Sequence, residues 1–247
     1  MDETRAPEQD GDARAITPVV GIGASAGGLE VFKLLLAELP ADIGFALVFI
    51  QHLDPGHHSM LAEILGRATA MPVREAADGM PVEANHVYVI PASVDITLAD
   101  GALKLTARTQ SPGSHMPIDR FLRSAAQQCG SRAMGVILSG TGSDGSAGVG
   151  AIKAAGGVTF AQDLATAKFA TMPQAAVATG CVDFVLPPEG IAAELARIGR
   201  HPYLAAAPRP QPAADEAQFG GILATLHEAT GIDFSLYREK MVGSPKE

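Results

Sequence analysis

The stretch VVGIGASAGG, residues 19–28, passes from a short apolar run into a glycine-rich turn that contains a serine. Residues 29–39 follow with the hydrophobic spacing of a helix. An apolar strand that turns directly into a helix is the basic unit of a parallel α/β sheet. This stretch therefore predicts the class of the fold, and it points to Ser25 as a candidate functional residue.

The same alternation of strand and helix recurs along most of the chain. Further strands are predicted at residues 45–50, 133–138, 158–160 and 182–186, and further helices at residues 60–69, 146–155 and 174–179 and from Pro187-Pro188 onward. Nearly continuous apolar strands between helices indicate a parallel sheet that is covered on both faces. We therefore predict a doubly wound, mostly parallel α/β sheet with helices on both faces.

The middle of the chain has a different pattern. Residues 87–90, 96–98 and 103–106 are strand-like and have no helix between them, and Asp100-Gly101 is a typical hairpin turn. These residues predict an antiparallel meander or hairpin added to the sheet.

Composition divides the chain into four parts. We expect a disordered acidic tail at residues 1–16, one folded domain at residues 17–203 and a Pro/Ala linker at residues 204–214. Residues 215–247 have helical periodicity but are too few to build a core, which indicates the start of a further module.

Charge and hydrophobicity exclude several classes of function. The chain carries 18 basic and 27 acidic residues, a net charge of −9, and only 5% aromatic residues, so nucleic-acid binding is disfavoured. The N-terminus lacks a signal peptide, and no apolar run reaches the roughly 18 residues of a membrane span. Two cysteines are too few for a disulfide framework. We expect a cytoplasmic protein without membrane insertion.

The glycine-rich turn fits two chemical templates. As a dinucleotide fingerprint, Gly21-x-Gly23-x-x-Ala26 requires an acidic residue at the end of the second strand, where Gln51-His52 stand and only Asp54 follows. As a nucleophile elbow, residues 23–27 read G-x-S-x-G, in which a strained serine projects above the sheet. The second interpretation is favoured.

A serine nucleophile needs a base and an acid that orients the base. The carboxyl ends of neighbouring parallel strands share one edge, so His52 is predicted beside Ser25 as the base. Asp144, in the loop SGTGSDG at residues 139–145, follows another strand and could hold the imidazole. An N-cap of the next helix is the structural alternative for Asp144. The two glycine-rich turns could also donate N–H groups to an oxyanion.

The other histidines are weaker candidates for the base: His57, His58, His86, His115, His201 and His227. A metal cluster could be drawn from four residues, which are His52, Asp54, His57 and His58. A solvated loop is favoured, because no pair has the regular spacing of helical ligands. We predict no metal and no cofactor.

Several separated motifs follow one another along the chain: GASAGG (23–28), Gln51-His52, Pro117-Ile118-Asp119, GVILSGTGSDG (135–145), Ala161-Gln162-Asp163 and Met172-Pro173. In this order they resemble the catalytic domain of the chemotaxis protein-glutamate methylesterases of the CheB type. The resemblance implies hydrolysis of glutamate γ-methyl esters on a chemoreceptor, with Ser25 as nucleophile, His52 as base and Asp144 as orienting acid. It also raises glutamine deamidation as a second activity.

The chain departs from the family pattern at three positions. Ala26 stands where threonine is common, Thr141 where methionine is common, and Met116 where arginine is usual. The motifs look most like methylesterase domains fused to a CheR-type methyltransferase, and residues 230–237 are similar to the start of that enzyme's helical domain. A methyltransferase is therefore an expected partner, and a non-catalytic docking module for receptors or a methyltransferase is the alternative function.

Overall fold

The computed structural model describes residues 16–51, 60–108 and 116–200. The strands of these ranges are β1 (Val19–Ala24), β2 (Ala46–Gln51), β3 (Val73–Glu75), β4 (Met80–Pro81), β5 (Val87–Val89), β6 (Val94–Ala99), β7 (Ala102–Ala107), β8 (Ala133–Ile137), β9 (Val158–Gln162) and β10 (Phe184–Leu186). The helices are α1 (Gly28–Glu38), α2 (Leu61–Gly66), α3 (Pro117–Cys129), α4 (Ser146–Ala154), α5 (Thr171–Ala178) and α6 (Pro188–Gly199).

Seven strands form one parallel sheet in the order β10-β9-β8-β1-β2-β5-β3. One core contains the apolar faces of α1, α2 and α6, and a second core contains those of α3, α4 and α5. Every residue of β1 and β8 is buried, as expected for strands covered on both sides. The predicted doubly wound, mostly parallel α/β fold is confirmed.

A small antiparallel sheet of order β4-β7-β6 accompanies the main sheet. Its hairpin turns at Asp100 and Gly101, with φ of 52° and 71°, the left-handed values that a two-residue hairpin turn requires. The sheet packs on α3, where the Leu98 N–H donates to Ser124 Oγ at 2.9 Å. The predicted hairpin is therefore confirmed, and it lies in a sheet of its own.

The prediction for residues 87–90 was wrong in one respect. β5 is not part of an antiparallel meander but pairs parallel with β2, in the register Leu47 with Val87. The reason is burial, since Val87, Tyr88 and Val89 are at most 1% exposed and parallel strands flank them on both sides. The sequence pattern did not reveal β3, the short strand that covers the outer side of β5.

Helix α3 was not predicted, although its first three residues carry a family motif. Pro117 occupies the first turn, where a missing N–H costs nothing, and Phe121, Leu122 and Ala125 bury one face. The helix crosses β1 so closely that side chains at Gly21 and Gly23 would overlap Leu122 and Ile118. Helix packing thus accounts for these two glycines without a bound pyrophosphate.

The predictions for the tail, the linker and the C-terminal module, at residues 1–15 and 201–247, lie outside the described residues. In the ranges that the structure describes, every helix is too short or too polar to cross a bilayer.

Candidate active site

Ser25 lies in the turn between β1 and α1, at the carboxyl edge of the sheet, and is half-buried. Its carbonyl oxygen accepts the Gly28 N–H at 3.1 Å, which closes the turn at the start of the helix. Gly27, the N-cap, has a φ of +73°, a conformation that disfavours side chains. The strained serine expected of a nucleophile elbow is not found, because the left-handed φ of this turn lies at Gly27 and Ser25 is not among the described residues with positive φ.

The strand order places Ser25 between the two segments that carry its predicted partners. β1 pairs with β2 on one side, with Ala24 opposite Gln51, and with β8 on the other, with Gly23 opposite Ile137. β2 ends at Gln51, directly before His52, and β8 leads into the loop of Asp144. His52 itself lies outside the described residues.

The loop after β8 is in contact with the serine. The Ser25 N–H donates to the carbonyl oxygen of Ser139 at 3.1 Å. A Cβ on Gly140 would lie 2.9 Å from Ser25 Cβ and 2.6 Å from Met172 Sδ, closer than van der Waals contact allows. Glycine at position 140 is therefore required for the close approach of the two turns.

Ser139 joins three segments around the serine turn, although the sequence did not single it out. Its hydroxyl, which is fully buried, donates to the Ala26 carbonyl oxygen at 3.0 Å and accepts the Phe169 N–H at 3.0 Å. Its own N–H donates to Oε1 of Gln162, another fully buried side chain, at 2.8 Å. Gln162 belongs to the Ala161-Gln162-Asp163 motif and Ser139 to the motif of residues 135–145, so both residues of this network lie in motifs that the sequence analysis quoted without a role for either side chain.

Asp144 is 2% exposed, and it caps a helix that is distant in sequence. Its Oδ2 accepts the Ile118 N–H at 3.0 Å and its Oδ1 accepts the Asp119 N–H at 2.9 Å, at the start of α3. The N-cap of α4 is instead Gly145, so Asp144 does not cap the helix that follows it. A carboxylate has about four acceptor sites, so these two backbone bonds do not by themselves use up its capacity to accept hydrogen bonds.

Asp119, at the start of α3, forms a second contact between α3 and α4. Its Oδ1 accepts the Gly148 N–H of α4 at 2.7 Å, while its own N–H binds Asp144. Burial raises the pKa of Asp119, and the negative charge of Asp144 raises it further, while the Gly148 N–H and the Arg123 guanidinium act in the opposite direction. The two carboxylates thus lock the start of α3 to the start of α4.

The raised pKa of Asp119 predicts how the stability of an Asp119→Asn variant depends on pH. Asp119→Asn keeps an acceptor for Gly148 but removes the charge. The pKa of Asp119 is higher in the folded chain than in the unfolded chain, so the stabilisation from its protonated form is fully present below the unfolded-state pKa. This stabilisation is lost as the pH rises through the folded-state pKa. We therefore expect the unfolding free energy of the wild type to fall relative to that of the variant between acidic and neutral pH. Urea unfolding across this range measures it, and parallel pH profiles would contradict it.

The other predicted site residues fall into two groups. Asp54, His57, His58, His115, His201 and His227 lie outside the described residues, as does every residue of the suggested metal cluster. His86 is described and precedes β5, at the amino edge of the sheet. Its Nδ1 lies 2.9 Å from the Ala84 carbonyl oxygen and its Nε2 lies 3.3 Å from the Glu83 carboxylate, so local contacts explain this histidine.

These features define the class of the molecule: a doubly wound α/β domain whose carboxyl edge carries a serine turn, a buried carboxylate and glycine-rich loops. A family model described as CheB methylesterase matches residues 20–195. The chain belongs to the CheB methylesterase family.

Relatives in bacteria and archaea support this membership. The chain is 40% identical over 199 residues to protein-glutamate methylesterase/protein-glutamine glutaminase 6 of Anaeromyxobacter dehalogenans, covering 76% of this chain and 57% of the relative. It is 35% identical over 196 residues to the corresponding protein of Pyrococcus horikoshii, covering 74% and 53%. The chain thus spans about half the length of the curated relatives it matches.

A solved structure shows the same fold. The crystal structure of the Thermotoga maritima CheB methylesterase catalytic domain superimposes with a TM-score of 0.68 at 30% sequence identity. The match covers 74% of this chain and 98% of that domain. The similarity therefore includes nearly all of that catalytic domain.

Proposed function

We propose that this chain is a protein-glutamate methylesterase that hydrolyses γ-methyl esters of glutamate side chains on a methylated chemoreceptor. The observation that carries the proposal is the place of Ser25, between the end of β2, which precedes His52, and the loop of Asp144. The family of the chain and the names of its relatives supply the substrate class.

The chemistry needs only side chains of this chain and water. Ser25 Oγ attacks the ester carbonyl while His52 takes its proton, and the carbonyl π electrons move to the oxygen. As the intermediate collapses, the C–O bond breaks and His52 returns the proton to the leaving methoxide, which departs as methanol. Water then attacks the acyl-enzyme in the same way and releases glutamate and Ser25. Asp144 orients His52 and stabilises its charged form.

Backbone N–H groups near Ser25 are suited to stabilise the oxyanion. Among the described residues, the N–H groups of Ala26 and Thr141 donate no hydrogen bond within the chain. One such donor contributes roughly 10² to 10³ in kcat. Because backbone atoms supply these donors, the side-chain departures at positions 26 and 141 are compatible with catalysis.

The test is methanol release from membranes that carry a methyl-esterified chemoreceptor. We expect release in proportion to the amount of chain added, and none from unmethylated membranes. Ammonia release from receptors with glutamine at the same sites tests the second activity. Binding to these membranes without release of either product would contradict the esterase and support the docking-module alternative.

Two further proposals concern the setting of this reaction. We place it in the cytoplasm, where the signalling segments of receptors would be accessible to it. We take the motif versions and residues 230–237 to indicate a CheR-type methyltransferase as a fused or separate partner. Co-purification with such a methyltransferase, from cells that express the chain at its natural level, tests the partnership.

Gly140→Ala is predicted to impair this reaction strongly. The added methyl group would push against Ser25 Cβ and Met172 Sδ and displace the nucleophile. A displacement of about 1 Å costs roughly 10²-fold in rate, and overpacking costs about 1–3 kcal/mol of stability. Initial rates at equal folded concentration measure the first effect.

Gly150→Ala is the matched control for this substitution. It adds the same methyl group to α4, where the nearest atom, Cys181 Sγ, is 4.0 Å away. We expect its rate to equal that of the wild type. Equal rates for both variants would show that the approach of Gly140 to Ser25 is not needed for turnover.

A further inference from the structure

We propose that Phe169 and Lys168, in the loop of residues 163–170 between β9 and α5, form a docking surface for the substrate protein beside Ser25. The segment that docks there is acidic and partly apolar, and it flanks the esterified glutamate. This inference rests on the proposed function, because it requires the ester to lie over Ser25.

The backbone of this loop is fixed to the serine turn. The Phe169 N–H donates to Ser139 Oγ at 3.0 Å, and the Phe169 carbonyl oxygen accepts the Gly140 N–H at 2.9 Å. The carbonyl oxygen of Ser139 in turn accepts the Ser25 N–H at 3.1 Å. A single residue, Ser139, thus connects the backbone of Phe169 to the backbone of Ser25 through hydrogen bonds.

The side chains of the loop extend this contact to the surface. Phe169 Cδ2 and Lys168 Cβ lie 3.2 and 3.5 Å from the position of a Cβ on Gly27, so both rest on the turn that holds Ser25. Phe169 is nevertheless 37% exposed, and Leu164 of the same loop is 39% exposed. Large exposed apolar side chains next to a site are suited to binding a partner.

Charge identifies the kind of segment that fits. Lys168 is exposed, its ammonium lies 5.8 Å from the centroid of the Phe169 ring, and in the described part of the chain no carboxylate pairs with it. The chain as a whole carries a net charge of −9, so Lys168 is a positive charge on a mainly acidic protein. An exposed cation that pairs with no carboxylate of the described residues, next to an exposed aromatic ring, favours a segment with carboxylates near apolar side chains.

Binding tests the surface without depending on turnover. The Ser25→Ala chain is titrated with vesicles that carry a methyl-esterified chemoreceptor, and the same background receives Phe169→Ala, Lys168→Glu or Lys104→Glu. Lys104 is an exposed lysine on β7, so its substitution is the matched charge control. We expect about tenfold weaker binding for the first two variants and unchanged binding for the control. High salt should reduce the effect of Lys168→Glu, because it screens exposed charges.

Kinetics of the Phe169→Ala chain with Ser25 intact separate docking from damage to the nucleophile. Methanol release from the receptor should fall about tenfold in kcat/KM, while hydrolysis of a small glutamate γ-methyl ester should stay within about twofold of wild type. A parallel fall for both substrates would overturn the docking surface, and so would equal vesicle binding by all variants.

The two proposals can fail separately. If binding depends on Phe169 but the wild type releases no methanol, the esterase proposal is overturned and the docking surface is retained. If the wild type releases methanol but substitutions at positions 168 and 169 leave binding unchanged, the docking surface is overturned and the esterase proposal is retained.

Discussion

Replacing Ser25 with alanine is expected to abolish methanol release from methyl-esterified receptor membranes, with a loss of about 10⁴-fold or more. The substitution removes the oxygen that we propose forms the acyl-enzyme, while the backbone bonds of Ser25 to Ser139 and Gly28 remain. Since the hydroxyl fixes neither bond, the free energy of unfolding should change by less than about 1 kcal/mol.

Ser131→Ala is the matched control for this loss. Ser131 is exposed and lies just before β8, at the opposite edge of the sheet from Ser25. The comparison is made at equal folded concentration, determined from circular dichroism and unfolding curves. Residual release by Ser25→Ala at even a tenth of the wild-type rate would exclude Ser25 as the nucleophile.

Replacing Asp144 with asparagine is expected to lower kcat by roughly 10²- to 10⁴-fold, because it removes the negative charge that we propose stabilises the His52 imidazolium. The same substitution also disturbs the cap of α3. The amide offers one oxygen, so either the Ile118 or the Asp119 N–H faces an NH₂ group instead of an acceptor. We expect a cost of about 1–3 kcal/mol in unfolding free energy.

The control for Asp144→Asn must lose stability without touching the site. Asp95→Asn meets this need, since Asp95 is 4% exposed and binds Arg120 at 2.5 Å between the small sheet and α3. Both variants should be less stable, but only Asp144→Asn should lose activity per folded molecule. If its activity falls no further than that of Asp95→Asn, then Asp144 is a helix cap and not the orienting acid.

The capping role of Asp144 illustrates why its function could not be settled by its place in the chain. A loop of the form SGTGSDG before a helix predicts a cap for that helix, and Gly145 takes that position instead. The helix that Asp144 does cap begins at Pro117, which is earlier in the chain. Only packing of α3 against α4 brings these N–H groups to the carboxylate.

Local features of the sequence determined most of the elements around the site. The strand and helix on either side of Ser25, the helix that begins at Pro188 and the hairpin at Asp100-Gly101 all formed where they were predicted. Each depends on hydrophobic periodicity or on the backbone preference of one or two residues. Such signals extend over a few neighbours, so they are present in the sequence itself.

Only the tertiary structure determined the contacts that surround the candidate active site at the carboxyl edge of the sheet. The parallel pairing of β5, the close approach of Gly140 to Ser25 and the placement of Phe169 on the serine turn join residues tens to over a hundred positions apart. These contacts follow from the order of the strands and from which side chains share the small space between turns. Because a chain segment carries no information about its distant neighbours, the sequence identified Ser25 and Asp144 as candidates, and folding determined what surrounds them.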